Sequence, residues 1–178
     1  GGRLVVVDKR DFDRAREFKE HEGSIWGMDA DDEFLYTCGV DQTTRVWAKG
    51  TFRVARVLVG HKSNVQRVRV NERYIVTGSA DRSAIVYDKA SGTLLHHLRR
   101  AQAKAVNGLL LWQNYLMTSS NADGKAKVWD LETGQLKKEL DLCVQAGSGV
   151  IDGSRVLLPL RQFPTIKIIT VDELFCDR

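Results

Sequence analysis

The sequence predicts an all-β chain assembled from tandem four-stranded antiparallel units. Three observations predict it. The endings Val6-Val7-Asp8, Val46-Trp47-Ala48, Val86-Tyr87-Asp88, Val128-Trp129-Asp130 and Ile168-Ile169-Thr170 recur about every 40 residues. Each interval divides into short strand-like runs bounded by turn residues. No helical period competes for long: Lys9–Glu20 has the charge of a short helix, but alignment with the other units puts it at a turn and an outer strand.

Taken in order, residues 3–20 supply the later strands of one unit. The first complete unit, 21–60, reads as strands Ser24–Ala30, Phe34–Cys38, Thr44–Ala48 and Phe52–Leu58. The second, 61–100, reads as Val65–Val70, Tyr74–Ser79, Ala84–Asp88 and Thr93–Leu98. The third, 101–142, reads as Val106–Leu111, Tyr115–Ser119, Ala126–Asp130 and Gln135–Leu140. Residues 143–178 form a degenerate unit with strands Val156–Pro159 and Thr165–Thr170. Gly50, Gly92 and Gly134 mark the third turn of the three complete units, where a tight reversal favours a residue without Cβ.

An Asp stands six positions before the aromatic in each complete unit: Asp41 before Trp47, Asp81 before Tyr87, Asp123 before Trp129. Four positions before each Asp comes a hydroxyl, Thr37, Thr77 or Ser119. These offsets, with Gly60-His61, Thr77-Gly78-Ser79 and Trp129-Asp130, resemble the WD-repeat β-propeller family, and the resemblance covers nearly the whole chain. It implies four-stranded blades in a ring. The sequence departs from the pattern at Ala48, which follows Trp47 in place of Asp, and at Tyr87, which replaces Trp. Ala101 stands near where the third unit should have its His, and the last unit has Phe163 where the Asp should be. Family rings usually have seven blades. The expectation is therefore an incomplete ring, part of a seven- or eight-bladed propeller, completed by sequence outside 1–178 or by a partner. An open arc would otherwise leave exposed strand edges.

The resemblance also implies roles. Matching residues in the family form an internal network, here His21, Thr37, Asp41 and Trp47; His61, Thr77, Asp81 and Tyr87; and Ser119, Asp123 and Trp129. His, hydroxyl and Asp together could suggest a nucleophile, its base and an orienter. Repetition argues against that, because an active site is normally built once, whereas buried polar groups must find partners in every unit. The family's binding rim maps to Trp26, Gln66 and Asn107, five positions after the His, and to Val40, Ala80 and Ala122, immediately before the Asp. None of the six is Arg, so these blades carry no guanidinium grip for phosphate at the rim. Trp26 is the candidate hot spot, with packing inside its own strand as the alternative.

Composition bounds the rest. The chain has 178 residues, 43% apolar and 28% charged, as in a globular domain with one core. No apolar run reaches membrane-span length. Cys38, Cys143 and Cys176 are odd in number and widely spaced, which fits reduced thiols in an intracellular protein, cytoplasmic or nuclear. There is no C-x-x-C pair, phosphate loop or dinucleotide fingerprint. His96 and His97 are neighbours in one strand and point to opposite faces. The reading is a non-enzyme without metal or cofactor. Its expected partners are proteins or peptides, recruited for modification by an attached complex in one version.

Basic residues cluster away from the rim: Arg53, Arg56, Lys62, Arg67, Arg69, Arg73, Arg82, Arg99 and Arg100. They read either as solubility and edge protection or as a face for RNA or an acidic protein. RNA is permitted by the net charge of +4 but not indicated, and no aromatic ladder for bases accompanies the arginines. A propeller in an RNA-processing or ribosomal particle is the alternative function. Arg67 stands where Gly27 and Gly108 occupy the sister units; it either reaches between blades or pairs with an acid.

Overall fold

The structure, a computed structural model, describes residues 2–8, 11–122, 124–141, 150–152, 155–159 and 166–170. All the regular elements among them are strands. β1 (Gly2–Asp8) pairs antiparallel with β2 (Asp11–His21). Three four-stranded meanders follow. The first is β3 (Ile25–Ala30), β4 (Phe34–Gly39), β5 (Thr44–Ala48) and β6 (Arg53–Leu58). The second is β7 (Val65–Val70), β8 (Tyr74–Ser79), β9 (Ala84–Asp88) and β10 (Leu94–Leu98). The third is β11 (Gly108–Trp112), β12 (Tyr115–Ser119), β13 (Lys125–Asp130) and β14 (Leu136–Asp141). Last come β15 (Val150–Asp152), β16 (Arg155–Pro159) and β17 (Ile166–Thr170) in one sheet.

The meanders form because each hairpin carries its own turn chemistry. Asp31 Oδ1 accepts the Glu33 and Phe34 N–H groups at 2.9 and 2.7 Å, and Asn71 Oδ1 accepts those of Arg73 and Tyr74 at 3.0 and 2.8 Å. Each side chain thus closes the first turn of its blade. In the third turns, Gly92 and Gly134 are left-handed, with φ of 76° and 70°. In the first blade that conformation falls on Phe52 (φ 53°) and not on Gly50, because the turn there closes through the Phe52 N–H to the Ala48 carbonyl at 2.7 Å. Gly50 is therefore not the conformational hinge of its turn.

The core lies between blades, not within one. One side of the second blade packs on the first through Val65, Val68, Ile75, Ile85 and Tyr87 against Tyr36, Cys38, Val46 and Leu58. Its other side packs on the third through Tyr74, Val76, Ala84 and Val86 against Leu109, Leu116 and Trp129. Alternate residues of β8 and β9 thus face opposite neighbours, as strand geometry requires, and both strands are buried throughout except at Asp88. Burying a side chain such as Ile75 or Ile85 stabilises by about 1.5–3 kcal/mol. The first strands of successive sheets meet in series: β1 with β3, β3 with β7, β7 with β11, β11 with β15. Polar ties reinforce the seams. The Val70 N–H donates to Asp29 Oδ2 at 2.9 Å, Asn71 Nδ2 to the Gln113 carbonyl at 2.8 Å, and Lys89 Nζ lies 2.7 Å from Asp31 Oδ2.

This is an arc of β-propeller blades. Among the described residues no further strand pairs with the free edge of β1, so the sheets stay open. Several strand bounds differ from the sequence reading by one or two residues. β15 is additional; its three residues are too short to announce themselves in sequence. Cys143, Cys176, Phe163, Thr165 and Asp123 lie outside the described residues.

Candidate functional site

In the first blade, a polar chain runs from β5 to the turn after β4. Trp47 Nε1 donates to Thr37 Oγ1 at 2.8 Å, and Thr37 Oγ1 lies 2.7 Å from His21 Nε2. His21 Nδ1 lies 2.8 Å from Asp41 Oδ2. Only one tautomer serves all three contacts. Nδ1–H donates to the carboxylate, and Nε2 accepts from the threonine hydroxyl. Donors then point one way along the chain, so each bond polarises the next. Asp41 Oδ2 also accepts the Glu22 N–H at 3.1 Å, and Oδ1 accepts the Thr43 N–H and hydroxyl at 3.2 and 2.9 Å.

The second blade repeats the chain with one change. His61 Nε2 lies 2.8 Å from Thr77 Oγ1, and His61 Nδ1 lies 3.0 Å from Asp81 Oδ2. Asp81 also accepts the Lys62 N–H at 2.8 Å and the Ser83 N–H and hydroxyl at 2.9 and 2.6 Å. Burial disfavours the Asp81 carboxylate, but the donors of Ser83 and Lys62 outweigh it and hold its pKa down at about 2. Burial pushes the His61 pKa down despite Asp81, so the ring is neutral. Tyr87, in the place of the indole, donates its hydroxyl to the Val59 carbonyl at 3.0 Å and ties β9 to the segment before His61.

The third blade corrects the sequence reading. The hydroxyl that accepts the Trp129 indole is Thr118, at 3.0 Å, and not Ser119. The residue in the histidine's place is Gln102, not Ala101. Its Nε2 donates to the Thr118 carbonyl and Oγ1 at 2.7 and 2.9 Å. The physical reason is the longer turn between β12 and β13. It contains Gly124 at φ 67° and adds a residue between the hydroxyl and the indole, so counting back from Asp123 lands one position late.

The six rim candidates lie at the ends of inner strands and in the turns that follow β4, β8 and β12. Trp26 and Gln66 each coincide with a break in register, between Ile25 and Gly27 and between Val65 and Arg67. Both are bulge residues, and a bulge re-aims its side chain. Trp26 is 42% exposed, and Met28 on the same strand is 56% exposed. Gln66 is half-buried. Asn107 precedes β11, and its Oδ1 accepts the Asn121 N–H at 3.0 Å. The N–H groups of Val40 and Ala80 donate to the Ser24 and Asn64 carbonyls at 3.0 and 2.9 Å, which pins both half-buried residues beside the inner strands. Ala122 is exposed.

Arg67 is the residue whose placement sequence left open. Its Nη1 donates to the carbonyls of Trp26 and Gln66 at 3.0 and 3.1 Å, so it reaches between blades to a backbone and not to an acid. The approach needs the glycine across the seam. A Cβ on Gly27 would lie 3.1 Å from the Gln66 carbonyl oxygen and 2.9 Å from Cys38 Sγ. Burial raises the Cys38 thiol pKa to about 12, which removes it as a nucleophile. Among the described residues no group of three or more His, Cys, Asp or Glu is placed to hold a metal ion.

The family model described as "WD domain, G-beta repeat" matches residues 12–48 and 52–88. The chain is 30% identical over 123 residues to a guanine nucleotide-binding protein subunit beta-like protein of Encephalitozoon cuniculi, a match covering 64% of this chain and 36% of that protein. It is 34% identical over 114 residues to the F-box/WD repeat-containing protein sel-10 of Caenorhabditis elegans, covering 62% of this chain and 19% of that one. The match thus spans only about a third of the first relative and a fifth of the second. Among solved structures, the computationally designed Ika8 protein superposes with a TM-score of 0.76 at 22% identity, over 90% of this chain and 51% of that one. The designed Ika4 protein gives 0.75 at 23%, over 85% and 94%. At those identities the likeness shows the fold alone.

Proposed function

We propose that this chain, which belongs to the WD-repeat β-propeller family, serves as a protein-interaction scaffold whose rim meets a protein or peptide partner. The observation that carries the reading is a division of labour among the conspicuous residues. His21, Thr37, Asp41, His61, Thr77 and Asp81 have their polar atoms engaged with one another, so they support loops and are not free for chemistry. Trp26 is aimed outward by a bulge and keeps 42% of its surface accessible. A half-exposed indole on a pinned strand loses little entropy when a partner covers it, and aromatic anchors of this kind dominate interface energy.

The rim set in this reading is Trp26, Val40, Gln66, Ala80, Asn107 and Ala122, neutral and of mixed size. It suits an uncharged or weakly charged peptide. Recruitment of substrates to a modification complex is the finer version, supported by the resemblance to a relative whose name joins an F-box to WD repeats. An intracellular setting is supported by the buried free thiol of Cys38.

The test is quantitative capture with wild-type and Trp26→Ala baits, with melting recorded for each. The scaffold reading expects loss of specific partners, an unchanged melting temperature and little dependence on salt. Global unfolding of Trp26→Ala would return the indole to a packing role. Steep loss with salt and retention of RNA would favour the nucleic-acid alternative.

A further inference from the structure

The basic residues do not form one face. Arg56 donates to the Lys89 and Ala90 carbonyls at 2.9 and 2.6 Å, Arg67 to Trp26, and Arg69 to the Val68 carbonyl at 3.2 Å. Arg73 pairs with Glu132 at 3.3 Å and lies over the Tyr74 ring. These arginines are structural. Of the five that remain, Arg53 begins the outer strand β6, and the other four, Lys62, Arg82, Arg99 and Arg100, line one open cleft of about 210 Å3 at the edge of the second blade. Its walls come from the loop before β7, the β8–β9 turn and the end of β10. None of the four side chains is in an ion pair among the described residues. The one carboxylate in the wall, Asp81, has both oxygens taken by His61, Lys62 N–H and Ser83.

The repeat scaffold does not require this charge. The first blade has the same geometry with other residues. Glu22 stands for Lys62, each donating its N–H to the turn Asp; Gln42 stands for Arg82, each left-handed, at φ 65° and 72°. By strand register, Val57, Val59 and Gly60 stand for His97, Arg99 and Arg100. Arg100 is also left-handed, at φ 54°, where the first blade uses glycine. Two arginines therefore sit at left-handed positions, and both converge on the cleft.

We propose that this cleft, which shares the β8–β9 turn with the rim residue Ala80 but lies away from Trp26, is a second binding site that takes a phosphorylated side chain of a partner protein. Guanidinium groups and an ammonium around one concavity match a dianionic phosphoryl group, which accepts several charge-assisted hydrogen bonds at once. The His97 ring completes the wall, while the Ser83 hydroxyl there gives its proton to Asp81. Nucleic acid fits less well: the cleft is a single concavity and not a track, and no Phe, Tyr or Trp lines it for base stacking.

The intact protein is probed with an array of degenerate phosphoserine and phosphothreonine peptides, each beside its unphosphorylated twin, and with fluorescein-labelled single-stranded RNA. Phosphopeptides should be retained over their twins, with affinity falling as salt rises. The double variant Lys62→Glu/Arg82→Gln carries the first blade's own residues, so it should melt like wild type. It should nevertheless bind phosphopeptide about tenfold or more weakly. Arg53→Gln, on an outer strand away from the cleft, and Trp26→Ala should bind it like wild type, which separates failure of this site from failure of the rim. Equal retention of the unphosphorylated twins, wild-type binding by the double variant, retention of RNA but no phosphopeptide, or retention of nothing would each overturn the proposal.

Discussion

Arg67 Nη1 lies 3.0 Å from the Trp26 carbonyl oxygen, so the inner strand of the second blade holds the backbone of the first at the residue whose indole faces solvent. The bond crosses the seam beside Gly27, where a Cβ would crowd the Gln66 carbonyl. Strand β3 is thus fixed from behind at the point where it bulges.

Replacing Arg67 by Gly, the residue of both sister units, should leave the strand path intact and remove that tie. A hydrogen bond with one charged partner contributes about 1.5–3 kcal/mol, less where water reaches it. Urea unfolding of Arg67→Gly should show a loss in the lower part of that range. Partner capture should weaken as well, because Trp26 loses its support. Unaltered unfolding and unaltered capture would show that the guanidinium does not brace the seam.

Thr118, and not Ser119, accepts the Trp129 indole and the Gln102 amide. Thr118→Val keeps the shape and leaves two buried donors without that acceptor. Gln102 Nε2 keeps the Thr118 carbonyl, so the cost falls on the Trp129 indole: about 1–3 kcal/mol for one unsatisfied group, read as a lower melting temperature. Ser119→Ala should cost markedly less. The reverse order of the two variants would restore Ser119 to the network.

These residues show what was legible and what was not. Repeat length, the four-strand pattern and the His–Thr–Asp spacing are local or periodic properties, and they appear in sequence as recurring offsets. Gln102 was hidden because one added residue in the β12–β13 turn shifts the count. The left-handed Phe52 was hidden because Gly50 two positions earlier offered the conventional signal. The bulges at Trp26 and Gln66 are facts of pairing register, which a single strand's sequence does not carry. Arg67's partner is a carbonyl in another blade, and that Lys62, Arg82, Arg99 and Arg100 have no ion pair among the described residues depends on where the other charges there sit.

Asp81 accepts four hydrogen bonds, two of them backbone N–H groups. Asp81→Ala strips the β8–β9 turn and the loop before β7 of their common acceptor. The expected loss is about 1–3 kcal/mol. It should be accompanied by faster amide exchange at Lys62 and Ser83, the two residues whose N–H groups are freed. Unchanged melting together with unchanged exchange would remove Asp81 from the network.

Acid should destabilise the fold in two separate windows. His61 is held neutral by burial, its pKa lowered from the ordinary value of 6.5. The unfolded chain takes up that proton as pH falls through about 6.5 while the folded chain does not, so stability declines from there downward. His97, lowered by burial and Arg99, adds in the same direction. Asp31 and Asp81 act lower. Burial opposes both carboxylates, but Lys89 with the Phe34 N–H, and Ser83 with the Lys62 N–H, hold them at about 2. Their contribution is complete above the unfolded value of about 4 and is lost as pH falls from about 4 to about 2. Urea midpoints across this range should fall in two steps. His61→Gln, which borrows the third blade's residue, should flatten the upper step and leave the lower; Asp31→Asn should do the opposite. A single step that neither variant moves would mean that other groups govern the acid response.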